Sequence, residues 1–174
     1  MMQMKEKMHI ITTERLELHK IEDKDFSAVI DILTDEEVGK TYMVPPLNTP
    51  EEQLRLFDTL KRLSSTDTRF VHGIYLKNDL IGLINDVGIS GDEIELGYVI
   101  SPRHKSQGYM TEALGASIKE LHRIGFIKVR CGAFSCNAAS MRVMEKCGMK
   151  RIDITENIEY RGENHVCIFY ESRI

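Results

Sequence analysis

The most informative segment of the chain is residues 93–124, which read EIELGYVISPRHKSQGYMTEALGASIKELHRI. Its first part, Glu93–Ile100, predicts a strand because turn residues precede it and apolar residues fill it. A polar loop follows Pro102 and ends at Gly108. Beyond that glycine, apolar residues recur at helical spacing, and Gly125 is typical of a helix end. The segment therefore predicts a strand, a short loop and a helix in direct succession.

The start of this helix is a candidate anion site. The first turn of a helix exposes unpaired N–H groups and the positive end of the helix dipole. Lys105 would place a cation beside a bound anion, and Gly108 would let the backbone approach phosphate oxygens. The motifs G-x-x-x-x-G-K-[ST] and G-x-G-x-x-G are both missing from the chain. The residues alone leave two alternatives, a phosphate-binding loop or an ordinary turn before a helix.

Patterns on both sides of this segment predict further strands and helices. Thr49 followed by Pro50 is typical of a helix start, and Asn137 is typical of another. Turn residues at 77–79 and 90–92 separate three successive strands. The predicted strands are His9–Leu18, Arg69–Leu76, Leu80–Ile89, Glu93–Ile100, Phe126–Phe134, Met149–Thr155 and His165–Glu171, and the predicted helices follow Asp23 or Asp25, Thr49, Gly108 and Asn137.

The resulting order, β-α-α-β-β-β-α-β-α-β-β, predicts an α/β protein. An antiparallel meander comes before a β-α-β crossover, so we expect a mixed, mostly antiparallel sheet with helices on both faces. The length of 174 residues suits one domain, which we predict to span residues 1–174.

Composition argues against several classes of protein. The chain is 42% hydrophobic and 29% charged, with a net charge of −4, which is typical of a globular protein and provides no basic excess for nucleic acid. No run approaches the ~20 apolar residues that a membrane helix needs. Met1–Lys7 lacks the apolar core of a signal peptide and is expected to be a frayed leader. We therefore expect a cytoplasmic protein that binds neither nucleic acid nor membrane. Its oligomeric state, monomer or homodimer, does not follow from composition.

The four cysteines form no metal-binding pattern. Cys131, Cys136, Cys147 and Cys167 show no C-x-x-C spacing, and none has a histidine at the spacing of a zinc ligand. We expect reduced, mostly buried thiols and no metal.

A second segment changes the reading of the first. By itself, 137–149 is explained by local structure, with Asn137 as a helix cap and Gly148 as the helix end. Taken together and in this order, however, the short motifs of the chain resemble the GNAT superfamily of N-acetyltransferases, most closely the ribosomal-protein alanine and serine N-acetyltransferases. The resemblance covers nearly the whole chain and is carried by Thr13–Leu18, Glu95–Tyr98, Gln107–Tyr109 with Thr111–Ala113, and Asn137 and Ser140 with Glu145–Met149.

The resemblance implies acetyl-CoA as the acetyl donor. The phosphate loop of the family, Q/R-x-x-G-x-G/A, falls on 105–110, where Lys105 replaces Gln or Arg and Met110 replaces a small residue. Met110 could crowd the diphosphate unless its side chain turns into the core. The implied cofactor-binding residues are Tyr98, Val99, Ile100, Lys105, Ser106, Gln107, Gly108, Tyr109, Met110, Thr111, Asn137 and Ser140.

The same resemblance assigns roles in the reaction. Backbone N–H groups near Tyr98–Ile100, where the strands splay, would stabilise the oxyanion, and Ser140 would lie beside the departing thiolate. Glu95 and Glu159 are alternative bases acting through water. Acceptor choice is expected to depend on elements that flank the thioester, with Tyr42, Met43 and Tyr160 as substrate-binding residues. The apolar loop that holds Tyr42 and Met43 either folds inward or lines a pocket.

The chemistry of the amine favours one class of acceptor. Presenting a neutral lysine amine with a pKa of ≈ 10.4 at pH 7 costs roughly 4.6 kcal/mol, whereas an α-amino group near 8 costs about 1.4 kcal/mol. A weak, water-mediated base therefore suits the α-amine of a protein N-terminus, with small-molecule amines as the other option. A non-catalytic CoA-binding module and a protein-interaction domain on the same fold are the alternatives to an enzyme.

Overall fold

The computed structural model describes residues 10–174, so the predicted leader Met1–Lys7 and the first residue of the predicted strand His9–Leu18 lie outside the described part. The helices are α1 (Phe26–Leu33), α2 (Glu36–Gly39), α3 (Pro50–Ser64), α4 (Tyr109–Arg123) and α5 (Ala138–Lys146), with short 3-10 helices at Asp23–Asp25 and Pro102–His104. The strands are β1 (Ile10–Thr12), β2 (Leu16–His19), β3 (Val71–Leu76), β4 (Asp79–Ser90), β5 (Glu93–Ile100), β6 (Lys128–Phe134), β7 (Lys150–Tyr160) and β8 (Glu163–Arg173).

All eight strands form one sheet in the order β1-β2-β3-β4-β5-β6-β8-β7. Every neighbouring pair is antiparallel except β5 and β6, which are parallel because α4 carries the chain back across the sheet between them. The predicted α/β class with a mixed, mostly antiparallel sheet is therefore confirmed.

The prediction of a single strand over His9–Leu18 is wrong, because the chain turns in its middle. β1 and β2 pair with each other in antiparallel register. The backbone N–H of Thr13 donates to the Leu16 carbonyl at 2.9 Å, and the Leu16 N–H donates to the Thr13 hydroxyl at 2.9 Å. A threonine side chain that bonds to nearby backbone competes with strand pairing, which explains the turn.

The helices that begin at cap residues are mostly those expected. Thr49 caps α3, since its hydroxyl accepts from the Glu52 N–H at 3.2 Å while the Glu52 carboxylate accepts from the Thr49 N–H at 3.0 Å. The short helix α2 was not predicted. Its cap residue is Asp35, whose side chain accepts from the Val38 N–H at 3.0 Å.

Helices cover both faces of the sheet, as expected, and each face has its own core. One core packs α4 and α5 on the sheet and includes the fully buried Leu114 and Met144. The other packs α1–α3 on the opposite face and includes Val29 and Phe57. The two faces of the sheet are therefore covered by different sets of helices.

The sheet opens between β5 and β6. The two strands pair only from Glu93 with Lys128 to Leu96 with Cys131, after which their register ends. Both strands continue pairing on their outer sides, β5 with β4 and β6 with β8. A wedge therefore opens beside Gly97–Ile100, which includes Tyr98–Ile100, where the resemblance implied that the strands splay.

Within residues 10–174, no helix is both long enough and apolar enough to cross a membrane. The cysteines are all free, with Cys131 and Cys167 buried, Cys147 half-buried and Cys136 exposed.

Candidate active site

The loop before α4 has the shape that an anion site needs. Lys105, Ser106, Gln107 and Gly108 are all exposed, and Gly108 is the cap residue just before α4. Gly108 has a φ of +81°, a left-handed conformation that glycine adopts without steric cost. Because no side chain stands at position 108, the N–H groups of the first turn of α4 are open to a ligand.

Met110 does not crowd this loop. Its side chain is 6% exposed and packs in the core beneath α4. The departure from a small residue at this position therefore leaves the space in front of the loop unfilled. The other departure, Lys105, stands exposed at the start of the loop and keeps its positive charge there.

Arg15, which the sequence analysis did not assign to the site, lies against this loop. Its Nε donates to Glu112 Oε2 at 2.7 Å, and its Nη1 donates to the Gln107 carbonyl at 3.0 Å. The guanidinium also lies over the ring of Tyr109, with 4.4 Å between Cζ and the ring centroid. Arg15 and Glu112 belong to two motifs of the resemblance, but their separation along the chain hid the contact between them.

Glu112 joins the turn between β1 and β2 to the start of α4. Its Oε1 accepts from the Thr13 hydroxyl at 2.5 Å and from the Arg15 N–H at 2.8 Å. Burial acts to raise the pKa of Glu112, but the hydrogen bonds from Thr13 and Arg15 outweigh burial and lower it. The carboxylate therefore stays ionised and holds the arginine in place.

Ser140 forms a hydroxyl pair with Tyr98 across the wedge. Asn137 caps α5 as expected, with its Oδ1 accepting from the Ser140 N–H at 3.1 Å. The Ser140 Oγ lies 2.7 Å from the Tyr98 hydroxyl oxygen, on β5. Burial is the main cause that raises the pKa of Tyr98, so the phenol keeps its proton. The phenol can therefore donate to Ser140, which leaves the serine proton available to another acceptor.

The two candidate bases lie in different surroundings. Glu95 is half-buried on β5, three residues before Tyr98 and so on the opposite face of that strand. Burial is the largest influence on the pKa of Glu95 and raises it, against a lowering effect of Arg130. Glu159 is exposed near the end of β7, where strand alternation places it on the opposite face from Tyr160. Followed through β6 and β8, the strand register places Glu95 and Glu159 on opposite faces of the sheet.

Two of the three predicted substrate residues come into contact. The Tyr160 hydroxyl donates to the Tyr42 carbonyl at 3.4 Å and accepts from the Val44 N–H at 3.4 Å. The Tyr42 hydroxyl donates to Asn85 Oδ1 at 3.1 Å, and burial raises the pKa of Tyr42 to about 12. Met43 is instead 52% exposed. The apolar loop thus packs Tyr42 and Val44 inward and leaves Met43 in solvent.

An aromatic cluster next to Tyr160 was missed by the sequence analysis. The rings of Phe134 and His165 stack with 4.3 Å between their centroids, and the Tyr160 ring centroid lies 6.1 Å from that of Phe134. Phe134 is the last residue of β6, just beyond the point where β5 and β6 part. No sequence signal indicated the cluster because its members come from separate strands.

In the described part of the chain, no group of three or more His, Cys, Asp or Glu side chains could hold a metal ion. The site instead consists of an open helix start and a hydroxyl pair on one face, with a half-buried carboxylate and two tyrosines on the other.

Comparison with known proteins gives consistent matches over most of the chain. The acetyltransferase (GNAT) domain model matches residues 15–150. An uncharacterized N-acetyltransferase of Bacillus subtilis (strain 168), YnaD, is 32% identical over 154 residues, which is 83% of this chain and 84% of YnaD. The solved structure of a GNAT family acetyltransferase from Bacillus anthracis matches with a TM-score of 0.81 and 26% identity, covering 94% of this chain and 98% of that one.

One further solved structure carries information about the fold alone. RimL, a ribosomal L7/L12 alpha-N-protein acetyltransferase in complex with coenzyme A, matches with a TM-score of 0.84 at 19% identity. The match covers 95% of this chain and 98% of RimL.

Proposed function

This chain belongs to the GNAT acetyltransferase family, and from that premise we propose that it transfers the acetyl group of acetyl-CoA to the α-amine of a protein N-terminus. As a family member it is an acetyl-CoA-dependent acyltransferase. The observation that carries the proposal is the wedge between β5 and β6, which has the open start of α4 and Ser140 on one face and Glu95 on the other.

The residues around the loop fit acetyl-CoA. The N–H groups at Gln107, Gly108 and Tyr109 would bind the diphosphate, with Lys105 as a nearby cation. Asn137 uses its Oδ1 to cap α5, so its amide N–H groups remain able to donate to the pantetheine arm. When bound, acetyl-CoA supplies a thioester whose carbonyl carbon is open to attack by an amine.

Glu95 is the base that we propose for the acceptor amine. Glu95 is half-buried on the face of the sheet opposite to Ser140, which we call the acceptor face. This position and its raised pKa are typical of a carboxylate that accepts a proton, directly or through one water. Glu159 is exposed on the edge strand, where a carboxylate is ordinarily solvated. Transfer of a proton from the amine to Glu95 would free the lone pair of the amine for attack.

The hydroxyl pair and the backbone of β5 would serve the later part of the reaction. N–H groups at Tyr98–Ile100 that face the wedge would donate to the oxyanion of the tetrahedral intermediate. Ser140, with the Tyr98 phenol donating to its oxygen, would donate its own proton toward the departing sulfur. Either hydroxyl of this pair can be the donor, and the proposed order is the one that leaves the Ser140 proton free for the sulfur.

The preference for an α-amine follows from the weakness of this base. A single carboxylate such as Glu95 is poorly suited to a lysine amine, whose deprotonation at pH 7 costs roughly 4.6 kcal/mol against about 1.4 kcal/mol for an α-amine. Met43, next to Tyr42, is 52% exposed and would be available to contact an extended chain end. The free thiols suit a reducing compartment, and we propose that the protein acts in the cytoplasm.

The test measures CoA thiol release from acetyl-CoA with a panel of acceptors. Peptides with a free N-terminal Ser, Ala or Met are compared with the same peptides blocked at the α-amine and carrying one internal lysine, and with small polyamines. We expect turnover only with free N-termini. Turnover confined to polyamines would contradict the choice of acceptor, and no turnover with any amine would contradict the proposed reaction.

A further inference from the structure

The guanidinium of Arg15 is hydrogen-bonded on two sides, to Glu112 on α4 and to the loop before α4. Glu112 accepts from Nε at 2.7 Å, and the Gln107 carbonyl accepts from Nη1 at 3.0 Å. The ring of Tyr109 supports one face of the guanidinium. These contacts fix the plane of the guanidinium before any ligand arrives, so little side-chain entropy remains to be lost on binding.

The remaining edge of the guanidinium points at the open start of α4. Among residues 10–174, Nη2 of Arg15 has no hydrogen-bond acceptor. It lies 3.2 Å from the position that a Cβ on Gly108 would occupy. The side chain is 41% exposed, so a ligand can reach this edge from solvent.

From this geometry we propose that Arg15 binds the diphosphate of CoA through Nη2, together with the N–H groups that open α4. The inference rests on the proposed use of acetyl-CoA. A planar guanidinium directs its donors at fixed angles and forms charge-assisted hydrogen bonds to phosphate oxygens, whereas the exposed Lys105 offers a point charge on a flexible stem. Arg15 would thus be the directional contact of the phosphate site, brought to it from the turn between β1 and β2.

The test compares binding of three ligands to wild-type protein and to Arg15→Gln. Calorimetry with CoA and with dephospho-CoA, which lacks the 3′-phosphate, measures the phosphate contacts. Ligand-observed NMR with pantetheine, which lacks all phosphates, reports on the rest of the site. We expect Arg15→Gln to weaken the binding of both CoA and dephospho-CoA by about tenfold, the scale of one charge-assisted hydrogen bond. Pantetheine binding should stay unchanged.

Two further variants sharpen the result. Arg103→Gln removes a positive charge from the neighbouring 3-10 helix and is expected to change CoA affinity by less than about twofold, because an exposed charge outside direct contact contributes little. Arg15→Lys keeps the charge but loses the planar guanidinium, and it is expected to weaken CoA binding several-fold. If Arg15→Gln does not fold, Arg15→Lys decides the question by the same criterion.

Several outcomes would overturn the inference. These are unchanged CoA affinity in the Arg15 variants, an equal loss for pantetheine, a loss confined to CoA and missing for dephospho-CoA, or an equal loss in Arg103→Gln. A wild-type protein that does not bind CoA would contradict the proposed function itself. The two failures are thus distinguished by the wild-type titration.

Discussion

The two sides of the wedge differ in the length and charge of the hydrogen bonds that hold their groups together. On the cofactor side, which comprises loop 105–108, the first turn of α4 and Arg15, ionic hydrogen bonds of 2.5 to 3.0 Å hold the groups together. On the acceptor side, which comprises Glu95, the loop around Tyr42, the end of β7 and the start of β8, the contacts that join Tyr160 to the loop are both 3.4 Å long. Bonds of that length are weak.

The difference matches what each side would bind. A site for one constant ligand gains affinity when its donors are fixed in advance, since less ordering is needed on binding. A face that must admit the end of a flexible chain can instead adjust through loosely tied loops. We therefore expect substitutions on the cofactor side to affect CoA binding strongly, and those on the acceptor side to affect the acceptor alone.

The largest expected effect comes from Gly108→Glu. The substitution places a carboxylate where the diphosphate would bind, next to the Arg15 guanidinium, and should weaken CoA binding by about 1,000-fold or more, because like charges in contact cost several kcal/mol. Calorimetry measures the loss. Gly91→Glu is the matched control, since Gly91 also has a positive φ, of +61°, but has open space around it. Equal losses in both variants would count against the phosphate site.

Glu95→Gln should come next in size and should act on the acceptor side. We expect kcat/KM to fall about 100-fold, the low end for loss of a general base. A base works only when ionised, and burial raises the pKa of Glu95 above its ordinary value, so the wild-type rate should fall as the pH is lowered through that raised pKa. The pH–rate profile of Glu95→Gln should lack this acidic limb.

Glu159→Gln is the control for that profile. We expect it to keep the acidic limb and most of the wild-type rate, since Glu159 is exposed on the face of β7 opposite to Tyr160. Loss of the limb in Glu159→Gln alone would reverse the assignment of the base.

Ser140→Ala should lower kcat about tenfold, with a smaller change in KM for acetyl-CoA, since it removes one hydrogen bond that matters most as the thiolate departs. Steady-state kinetics separates the two constants. Ser65→Ala, on the exposed end of α3, should change neither. A rise in KM with unchanged kcat would make Ser140 a binding residue only.

The smallest effect is expected for Tyr160→Phe. Removing the hydroxyl deletes two hydrogen bonds of 3.4 Å, so KM for the acceptor should rise about threefold, within the range of a weak hydrogen bond. KM for acetyl-CoA should stay the same. A matching rise in KM for acetyl-CoA would show that the two sides are not independent.

Sequence patterns predicted the fold class and most elements, and they failed where short local bonds intervened. The caps Thr49 and Asn137 are confirmed by side-chain hydrogen bonds to the helices that they begin. The strand over His9–Leu18 failed because Thr13 closes a turn that a run of β-branched residues conceals. The helix α2 was missed because four residues are too few to display a helical period.

Sequence by itself determined the features that depend on neighbours along the chain. The strand, loop and helix of 93–124, with the left-handed Gly108 between them, follow from local sterics and from the unpaired N–H groups of a helix start. Such features need only a few consecutive residues, so the pattern of residue types is enough to predict them.

Tertiary structure alone decided which side chains meet. It brought Arg15 onto Glu112, turned Met110 into the core, set Tyr98 beside Ser140 and placed Glu95 on the face of the sheet opposite to Glu159. Each of these outcomes depends on the packing of elements that are distant in sequence and on strand register, where a shift of one residue reverses every side chain. The chemistry of the site is therefore set by packing, while the framework that carries it is encoded locally.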